Sequence, residues 1–296
     1  MIDPRVLARI RNVPSRLFAA LLTFGLMLGA PILLGVLSGV LGALDLDALA
    51  AVAGVLAGLV FVGTVVAAWV AIFQASRRIK RAEAALYRGD YDAATRDAGV
   101  VVRTVFRADY QMGALFTLAL AAERLGAFPE AASLFSRALD MIPAMAAPRP
   151  KRRAGALLAG HAALDFAAMG DLARASQMLA RCHRELGAAG QPGALEMLLI
   201  DDSALGALGV NSMLVELENR REPRPLTVLA WMLVTLKSGQ PHEVLAAAAS
   251  EGAALAYGLA PHERALAARV QMHAARAVGA PAVAPEPNAW AESILA

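Results

Sequence analysis

The stretch that decides the fold runs from Glu123 to Pro143 and reads ERLGAFPEAASLFSRALDMIP. After Gly126, apolar and small residues recur at spacings of three and four, which places them on one face of a helix. These residues are Phe128, Ala131, Phe135 and Ala138. Glycine accommodates the left-handed backbone of a tight turn, and Pro143 stops the helix that follows. The stretch therefore predicts the turn and the second helix of a small helical hairpin.

The same pattern recurs around three further glycines. The segments YRGDYDAA, AMGDLARA and, more weakly, KSGQPHEV surround Gly89, Gly170 and Gly239. The residue two positions after the glycine fills the gap between two helices, and the residue five positions after it lets them approach. These pairs are Tyr91 and Ala94, Leu172 and Ala175, and Pro241 and Val244. The pattern predicts a chain of repeated helical hairpins.

These copies resemble the tetratricopeptide repeat (TPR) family, whose period is typically about 34 residues. The key positions of the family's pattern hold Leu118, Ala119, Gly126, Phe128, Ala131, Phe135, Ala138 and Pro143. Leu115 and Ala122 stand where large aromatics often mark the family's first helix. The glycines at 89, 126 and 170 lie 37 and 44 residues apart, and an inserted loop at 146–154 accounts for the longer interval. The resemblance covers residues 76–279 and implies a TPR-like α-solenoid; a general α-solenoid is the alternative.

Two long uncharged segments precede the repeats. Leu17–Leu41 has 25 residues and Ala48–Phe73 has 26, with no charged residue in either. Because roughly 20 apolar residues cross the hydrocarbon core as a helix, each segment is long enough to span a membrane. The sequence therefore predicts an all-α protein with a basic segment at 1–16 and a transmembrane hairpin at 17–75. The predicted spans cover about 17–41 and 48–73.

The basic residues predict the orientation of the hairpin. Four arginines precede the first span, SRRIKR at 76–81 follows the second, and the link at 42–47 carries only acids. Both chain ends are therefore expected in the cytoplasm. The Arg-rich and Ala-rich composition is typical of GC-rich bacterial genomes, so the expected location is the bacterial inner membrane. A cleaved signal peptide is the alternative, but its apolar region would be only about 7–15 residues long.

The net charge argues against a nucleic-acid partner. Residues 1–81 carry a net charge of +5 and the rest of the chain carries −2, for a total of +3. The basic excess therefore flanks the apolar segments, whereas a nucleic-acid footprint would lie on the face of a folded domain. The expected partners are a lipid bilayer and one or more proteins.

Glycines in the spans are spaced four apart, which lets helix backbones approach closely in lipid. The pairs are Gly25 and Gly29, Gly35 and Gly39, and Gly54 and Gly58. The simplest interpretation is close packing within the hairpin, and a homodimer through the spans is the alternative. The spans hold no ionisable residue, which argues against an ion pathway.

The family resemblance implies a concave surface lined by the first helix of each repeat. The residues expected to form this partner-binding groove are Phe116, Leu120, Glu123, Leu157, Leu164, Leu229 and Leu233. The lining is mostly apolar, which suits an apolar helix or segment of a partner. The alternative is that these residues pack on neighbouring helices or on the chain's own tail.

Catalytic and metal-binding patterns are missing from the sequence. It has no Walker-type phosphate loop, and HEVLA and HERAL lack the second histidine of a zinc motif. The five histidines are scattered, and Cys182 occupies a small core position of the third copy. We therefore expect no enzyme activity, no cofactor and no metal.

Two features concern how the parts connect. Good helix formers continue without proline from Ala67 to Arg88, so the second span is expected to enter the first repeat as one helix of about 40 residues. A hinged anchor would instead need several glycine, serine or proline residues near Ser76–Arg81, and Ser76 is the only such residue there. The end of the chain, 280–296, is a Pro/Ala linker followed by a short amphipathic segment with Trp290, Ile294 and Leu295. This segment is expected either to dock or to fray.

These observations together predict a membrane-tethered scaffold or assembly factor that binds a partner in a cytoplasmic groove. The alternative is a structural or accessory subunit of a larger inner-membrane complex, in which the spans make the main contacts. The partner itself cannot be read from the sequence.

Overall fold

The computed structural model describes residues 4–11, 32–41, 43–44, 46–105, 107–142, 148–189 and 223–295. The all-α prediction is confirmed for these residues, which form helices and contain no strand. The helices are α1 (Pro4–Arg11), α2 (Ile32–Leu41), α3 (Asp47–Tyr87), α4 (Tyr91–Thr104), α5 (Ala108–Arg124), α6 (Phe128–Met141), α7 (Pro148–Ala168), α8 (Leu172–Ala189), α9 (Pro223–Lys237), α10 (Pro241–Ser250), α11 (Gly252–Gly258), α12 (Pro261–Ala277) and α13 (Ala289–Leu295). Of the predicted first span at 17–41, residues 17–31 lie outside the described residues, as does the predicted stop at Pro143. The loop predicted at 146–154 is wrong from residue 148 on, because α7 begins there.

Each of the four predicted glycine turns is confirmed by its backbone. Gly89, Gly126, Gly170 and Gly239 have φ angles of 78°, 76°, 78° and 78°. The N–H after each glycine bonds back to a carbonyl five residues earlier, as in Ala127 N to Ala122 O at 2.9 Å. This geometry satisfies the last carbonyls of the helix and favours glycine, because a β-carbon strains the left-handed backbone. Gly279, at φ 71°, ends α12 in the same way.

Helices joined by these turns pack against each other and against the next helix along the chain. The pairs α3–α4, α5–α6, α7–α8 and α9–α10 are in contact, α4 also packs on α5, α6 on α7, and α7 on α9. Most residues picked out by their spacing from the glycines are fully buried: Ala94, Ala98, Ala131, Phe135, Ala138, Ala175 and Cys182. Tyr91, Leu172 and Pro241, two positions after their glycines, are only partly buried. The periodicity therefore identified the face of each second helix that enters the core.

Helix α3 runs unbroken for 41 residues, from Asp47 to Tyr87. The predicted continuity between the second apolar segment and the first helical pair is therefore confirmed, and a break near Ser76–Arg81 is excluded. At 1.5 Å per residue the helix is about 60 Å long. Its residues up to Phe73 are mostly exposed, whereas Ala75, Ile79, Ala82 and Leu86 are buried against the helices that follow. One helix thus carries both an uncovered apolar half and a packed half.

The amino-terminal helix α1 packs on the domain formed by the later helices. It contacts α4 and α5, and its Val6 and Ile10 side chains are buried. Its arginines pair with carboxylates of the domain, Arg9 with Asp92 at 2.5 Å and Arg11 with Glu130 at 2.6 Å. The sequence had indicated only a basic segment here. The residues before and after the two apolar segments therefore belong to one packed body.

Candidate functional site

The seven side chains predicted to line a partner-binding groove all lie in the core. Phe116, Leu120, Glu123, Leu157, Leu164, Leu229 and Leu233 are at most 7% exposed. An open groove lined by these side chains is therefore not part of this structure. Their contact with a partner stays a prediction, and it requires neighbouring parts of the chain to move.

Neighbouring helices account for much of this burial. The Phe116 ring of α5 meets the Phe135 ring of α6 edge to face, with centroids 5.9 Å apart, and the His161 ring of α7 at 5.8 Å. A β-carbon at Gly160 of α7 would lie 3.2 Å from the Leu226 side chain of α9. Positions that the family resemblance assigns to a concave surface therefore form contacts between successive first helices.

Three ionisable side chains sit in this apolar interior. Glu123, His161 and Asp165 are each fully buried. The His161 Nδ1 atom lies 2.8 Å from Glu123 Oε2, and the His161 ring stacks on Phe135 with centroids 5.1 Å apart. His161 and Asp165 are four residues apart on α7 and so share one helix face. We call these three residues the buried polar cluster.

The cluster is incompletely satisfied within the described residues. Neither carboxylate oxygen of Asp165 has a hydrogen-bond partner there, and Glu123 Oε1 and His161 Nε2 also lack one. Burial, and to a smaller degree the nearby Glu123 carboxylate, raises the pKa of Asp165 well above its ordinary value. Both effects disfavour the charged form of Asp165. Sequence inspection picked out Glu123 alone. The signal for the other two was the four-residue spacing of His161 and Asp165 within Ala154–Ala168, a stretch of α7 whose other residues are apolar.

The end of the chain docks over this region. Helix α13 packs on α7 and α12, with Ala291 and Ile294 fully buried. The Trp290 indole N–H donates to the Glu123 carbonyl oxygen at 2.9 Å, and the Trp290 ring meets the His262 ring at 4.9 Å. Of the two predicted behaviours of the tail, docking is the one observed.

The apolar half of α3 is the second candidate site. Large side chains such as Val52, Leu59 and Trp69 are 57%, 64% and 67% exposed, and they face several directions around the helix. Among the described helices, α3 alone is long and apolar enough to cross a membrane, and none of its most apolar window is buried within the chain. A contiguous exposed apolar surface of this size marks contact with lipid or with another protein.

Little of the predicted glycine packing is seen among the described residues. Gly54 faces α2, where its β-carbon would lie 3.4 Å from Ser38 Oγ, and Ser38 Oγ donates to the Ala50 carbonyl oxygen at 2.8 Å. β-Carbons at Gly35, Gly39 and Gly58 would meet no described atom within 4 Å. Gly25 and Gly29 lie outside the described residues. No described helix covers these three positions.

Basic residues sit where the exposed half of α3 meets the packed half. Asp97 on α4 pairs with Arg78 at 3.1 Å and with Arg81 at 3.7 Å. Arg77 lies over the Phe73 ring, 4.4 Å from its centroid. This arrangement brings cationic groups to one level of the helix, directly after the last apolar residue of the predicted span.

The remaining titratable groups do not form a metal or nucleophile site in the described part of the chain. No group of three or more His, Cys, Asp or Glu there has a geometry that could hold a metal ion. Burial raises the pKa of the Cys182 thiol to about 11. Cys182 Sγ also lies 3.2 Å from the Ala156 carbonyl oxygen and 2.9 Å from Thr227 Oγ1, so the thiol is enclosed and unreactive.

Three structural features can indicate a function: the exposed apolar half of α3, the packed helical body, and the tail docked near the buried polar cluster. No protein-family model, no curated protein and no solved structure matches this chain.

Proposed function

We propose that this chain is a membrane-tethered scaffold or assembly factor. In this proposal an amino-terminal transmembrane hairpin anchors a TPR-like α-solenoid at the cytoplasmic face of a bacterial inner membrane. The solenoid binds a protein partner, and the hairpin holds that interaction at the bilayer.

The uncovered apolar half of α3 is the observation that carries the proposal. Each large apolar side chain that leaves water contributes about 1.5–3 kcal/mol. Among the described residues most large side chains of this stretch are exposed; α2 contacts it at Ser38, and Ile72 near its end packs against the domain core. A helix that is apolar all round belongs in a protein core or in a membrane. Lipid is the surrounding that suits 26 consecutive uncharged residues.

The docking of α1 supports a hairpin over a single crossing. Helix α1 precedes both apolar segments, and the domain on which it packs follows them. If α3 crosses the bilayer, α1 and the domain share one side only when the intervening chain crosses back. The uncharged stretch at 17–41 has the length for that second crossing. The Arg and Lys residues at 76–81, beside the bilayer in this arrangement, favour the cytoplasmic side.

The continuity of α3 supports a rigid presentation of the domain. The buried residues of its second half, Ile79 and Leu86 among them, belong to the same core as α4 and α5. The domain is therefore held at a fixed distance and orientation to the anchor, which suits a scaffold that positions a partner near the membrane.

The open small-residue positions favour the second candidate function, a subunit of a larger membrane complex. Gly35, Gly39 and Gly58 have no neighbour within 4 Å among the described residues, so another protein's helix could approach there. In that case the spans make the main contacts and the domain is an accessory.

Membrane extraction tests the anchoring. The full chain should remain in the membrane fraction after alkaline carbonate treatment, and a variant with Val55, Leu59 and Val62 changed to Asp should not. A variant with three exposed domain residues changed to Asp is the matched control and should stay membrane-bound. Release of the unaltered chain by carbonate would contradict the proposed membrane anchoring.

Co-purification in mild detergent separates the two candidate functions. Gly58→Leu fills a position with no described neighbour, so it should leave the chain folded. A scaffold should keep its partner in this variant, and a subunit held by its spans should lose its fixed-ratio assembly. Loss of every co-purifying protein from Gly58→Leu would therefore refute the scaffold and favour the subunit.

A further inference from the structure

The docked helix α13 is joined to the rest of the chain by a segment that is not helical. Residues 278–288 form no helix, include three prolines and leave Val283 91% exposed. Such a Pro-rich segment behaves as an extended tether. The position of α13 is therefore set by its own contacts and by the hydrogen bond that Arg269 donates to the Glu286 carbonyl oxygen of this segment, at 3.2 Å.

Helix α13 depends on its binding surface. Isolated helices shorter than roughly 12–15 residues are marginal in water, and α13 has seven residues. Four parts of the chain form the surface that orders it. They are the end of α5 at Glu123, the following turn at Gly126, the neighbouring face of α7, and α12 at His262 and Arg269. We call this surface the tail seat.

The tail seat recognises a defined set of groups. It accepts an indole N–H at the Glu123 carbonyl and packs the indole ring against His262. It buries Ala291 and Ile294, one and four residues after Trp290. Arg269 pairs with Glu292 at 2.9 Å on the rim. An aromatic donor followed four residues later by an aliphatic side chain is the anchor pattern of an amphipathic helix bound in a groove.

We propose that the tail seat is a peptide-binding site and that the chain's own tail is its resident occupant. The partner it fits is a protein segment that forms a short amphipathic helix with a tryptophan and, four residues later, an isoleucine or leucine. This inference rests on the proposed scaffold function and names the kind of partner. The partner binds when it displaces α13 from the seat.

The segment 278–288 sets the effective concentration at which α13 competes with a free peptide for the tail seat. A segment joined by a short flexible linker acts at an effective concentration in the millimolar range. If the tail itself has an intrinsic Kd on the order of 100 μM for the seat, a free peptide would bind about tenfold more weakly to the intact chain than to a chain with an undocked tail. A weakly binding ligand therefore does not displace α13 from the tail seat, whereas a partner that makes more contacts does.

Peptide binding by the full-length protein in lipid nanodiscs tests this inference. The probe is a fluorescein-labelled peptide of residues 286–296, EPNAWAESILA. The receptor variant W290A/I294A removes the two anchors from the tail alone. Val283→Ala, at an exposed tether position, is the matched control. The variant Glu292→Ala removes the ion pair with Arg269 from the tail alone and leaves the seat unchanged, and it serves if the double variant does not fold.

The peptide should bind W290A/I294A at least tenfold more tightly than it binds the unaltered chain or Val283→Ala. Glu292→Ala should fall between them, because it weakens the tail and not the seat, and a peptide carrying the Trp290→Ala change should not bind. Equal affinity for all receptors, or no binding to W290A/I294A, would overturn the inference. A dimer of the unaltered chain that W290A/I294A abolishes would also overturn it, since it assigns the seat to the tail of a second copy. This binding readout does not depend on carbonate extraction, so the two proposals fail separately.

Discussion

At the scale of single residues, the glycine turns and the groove positions are set by different physical causes. The glycine turns are local, because a chain reversal after a helix needs a left-handed residue wherever the helix ends. The seven groove residues are different. Their exposure depends on how closely successive first helices approach, and contacts such as Gly160 with Leu226 close that surface.

Asp165→Asn should stabilise the protein at neutral and higher pH. The folded chain raises the pKa of Asp165, so it holds the proton over a range in which the unfolded chain has released it. Stability therefore falls as the pH rises through the pKa of the folded state. The amide mimics the protonated acid, so the gain is absent well below the unfolded pKa. At pH 8 we expect a gain on the order of 1 kcal/mol or more, because each unit by which folding raises the pKa costs about 1.4 kcal/mol above that pKa.

Thermal unfolding at pH 4 and pH 8, followed by circular dichroism, measures this effect. Asp140→Asn makes the same chemical change at an exposed position and is the matched control. It should alter stability by less than roughly 0.5 kcal/mol at either pH. An Asp165→Asn variant with an unchanged pH dependence would show that the cluster does not carry the proton assigned to it.

Gly126→Ala should destabilise the domain through its backbone. A β-carbon at Gly126 would meet only Ser293 Oγ, at 3.9 Å, so space is not limiting. The φ of 76° is the cause, because an L-residue pays roughly 1–2 kcal/mol there. Gly99→Ala, inside α4 with open space around it, should stabilise by about 0.5–1 kcal/mol. Denaturant unfolding compares the two, and equal effects would contradict the turn assignment.

At the scale of elements, α3 was the most predictable and the two terminal helices the least. The continuity of α3 follows from an uninterrupted run of helix formers, which is a local property. The docking of α1 and α13 is not local: Trp290 meets a carbonyl 167 residues earlier in the chain. The sequence offered only an amphipathic pattern for the tail and a basic segment for the amino terminus. Neither pattern specifies the surface that receives it.

Spin labels at Leu59 and Tyr87 should report one stiff helix. Both positions are exposed, at 64% and 70%, and they lie 28 residues apart on α3. At 1.5 Å per residue their backbones are separated by about 42 Å. We expect a narrow distance distribution near that value in double electron–electron resonance. Inserting Gly-Ser-Gly after Ala75 should broaden it, and a broad distribution in the uninterrupted chain would restore a hinged anchor.

At the scale of the whole molecule, one packed body joins chain segments on both sides of the apolar stretch. The contacts of α1 with α4 and α5 place Pro4–Arg11 on the same body as the domain, whereas the first half of α3 is exposed. The proposed membrane hairpin would explain both observations. The all-α class and the helix pairs could be predicted from periodicity and turns. The closure of the groove could not, because it depends on how the folded units meet.

Cysteine accessibility tests the membrane-tethered arrangement most directly. The native Cys182 is fully buried and its thiol has a pKa of about 11, so it gives little background labelling. One variant carries Asp45→Cys in the link between the predicted spans, and the other carries Tyr257→Cys, at a position 89% exposed on the domain. In intact spheroplasts a membrane-impermeant maleimide should label Asp45→Cys and should label Tyr257→Cys only after permeabilisation. Labelling of Tyr257→Cys in intact spheroplasts, with Asp45→Cys protected, would contradict the account.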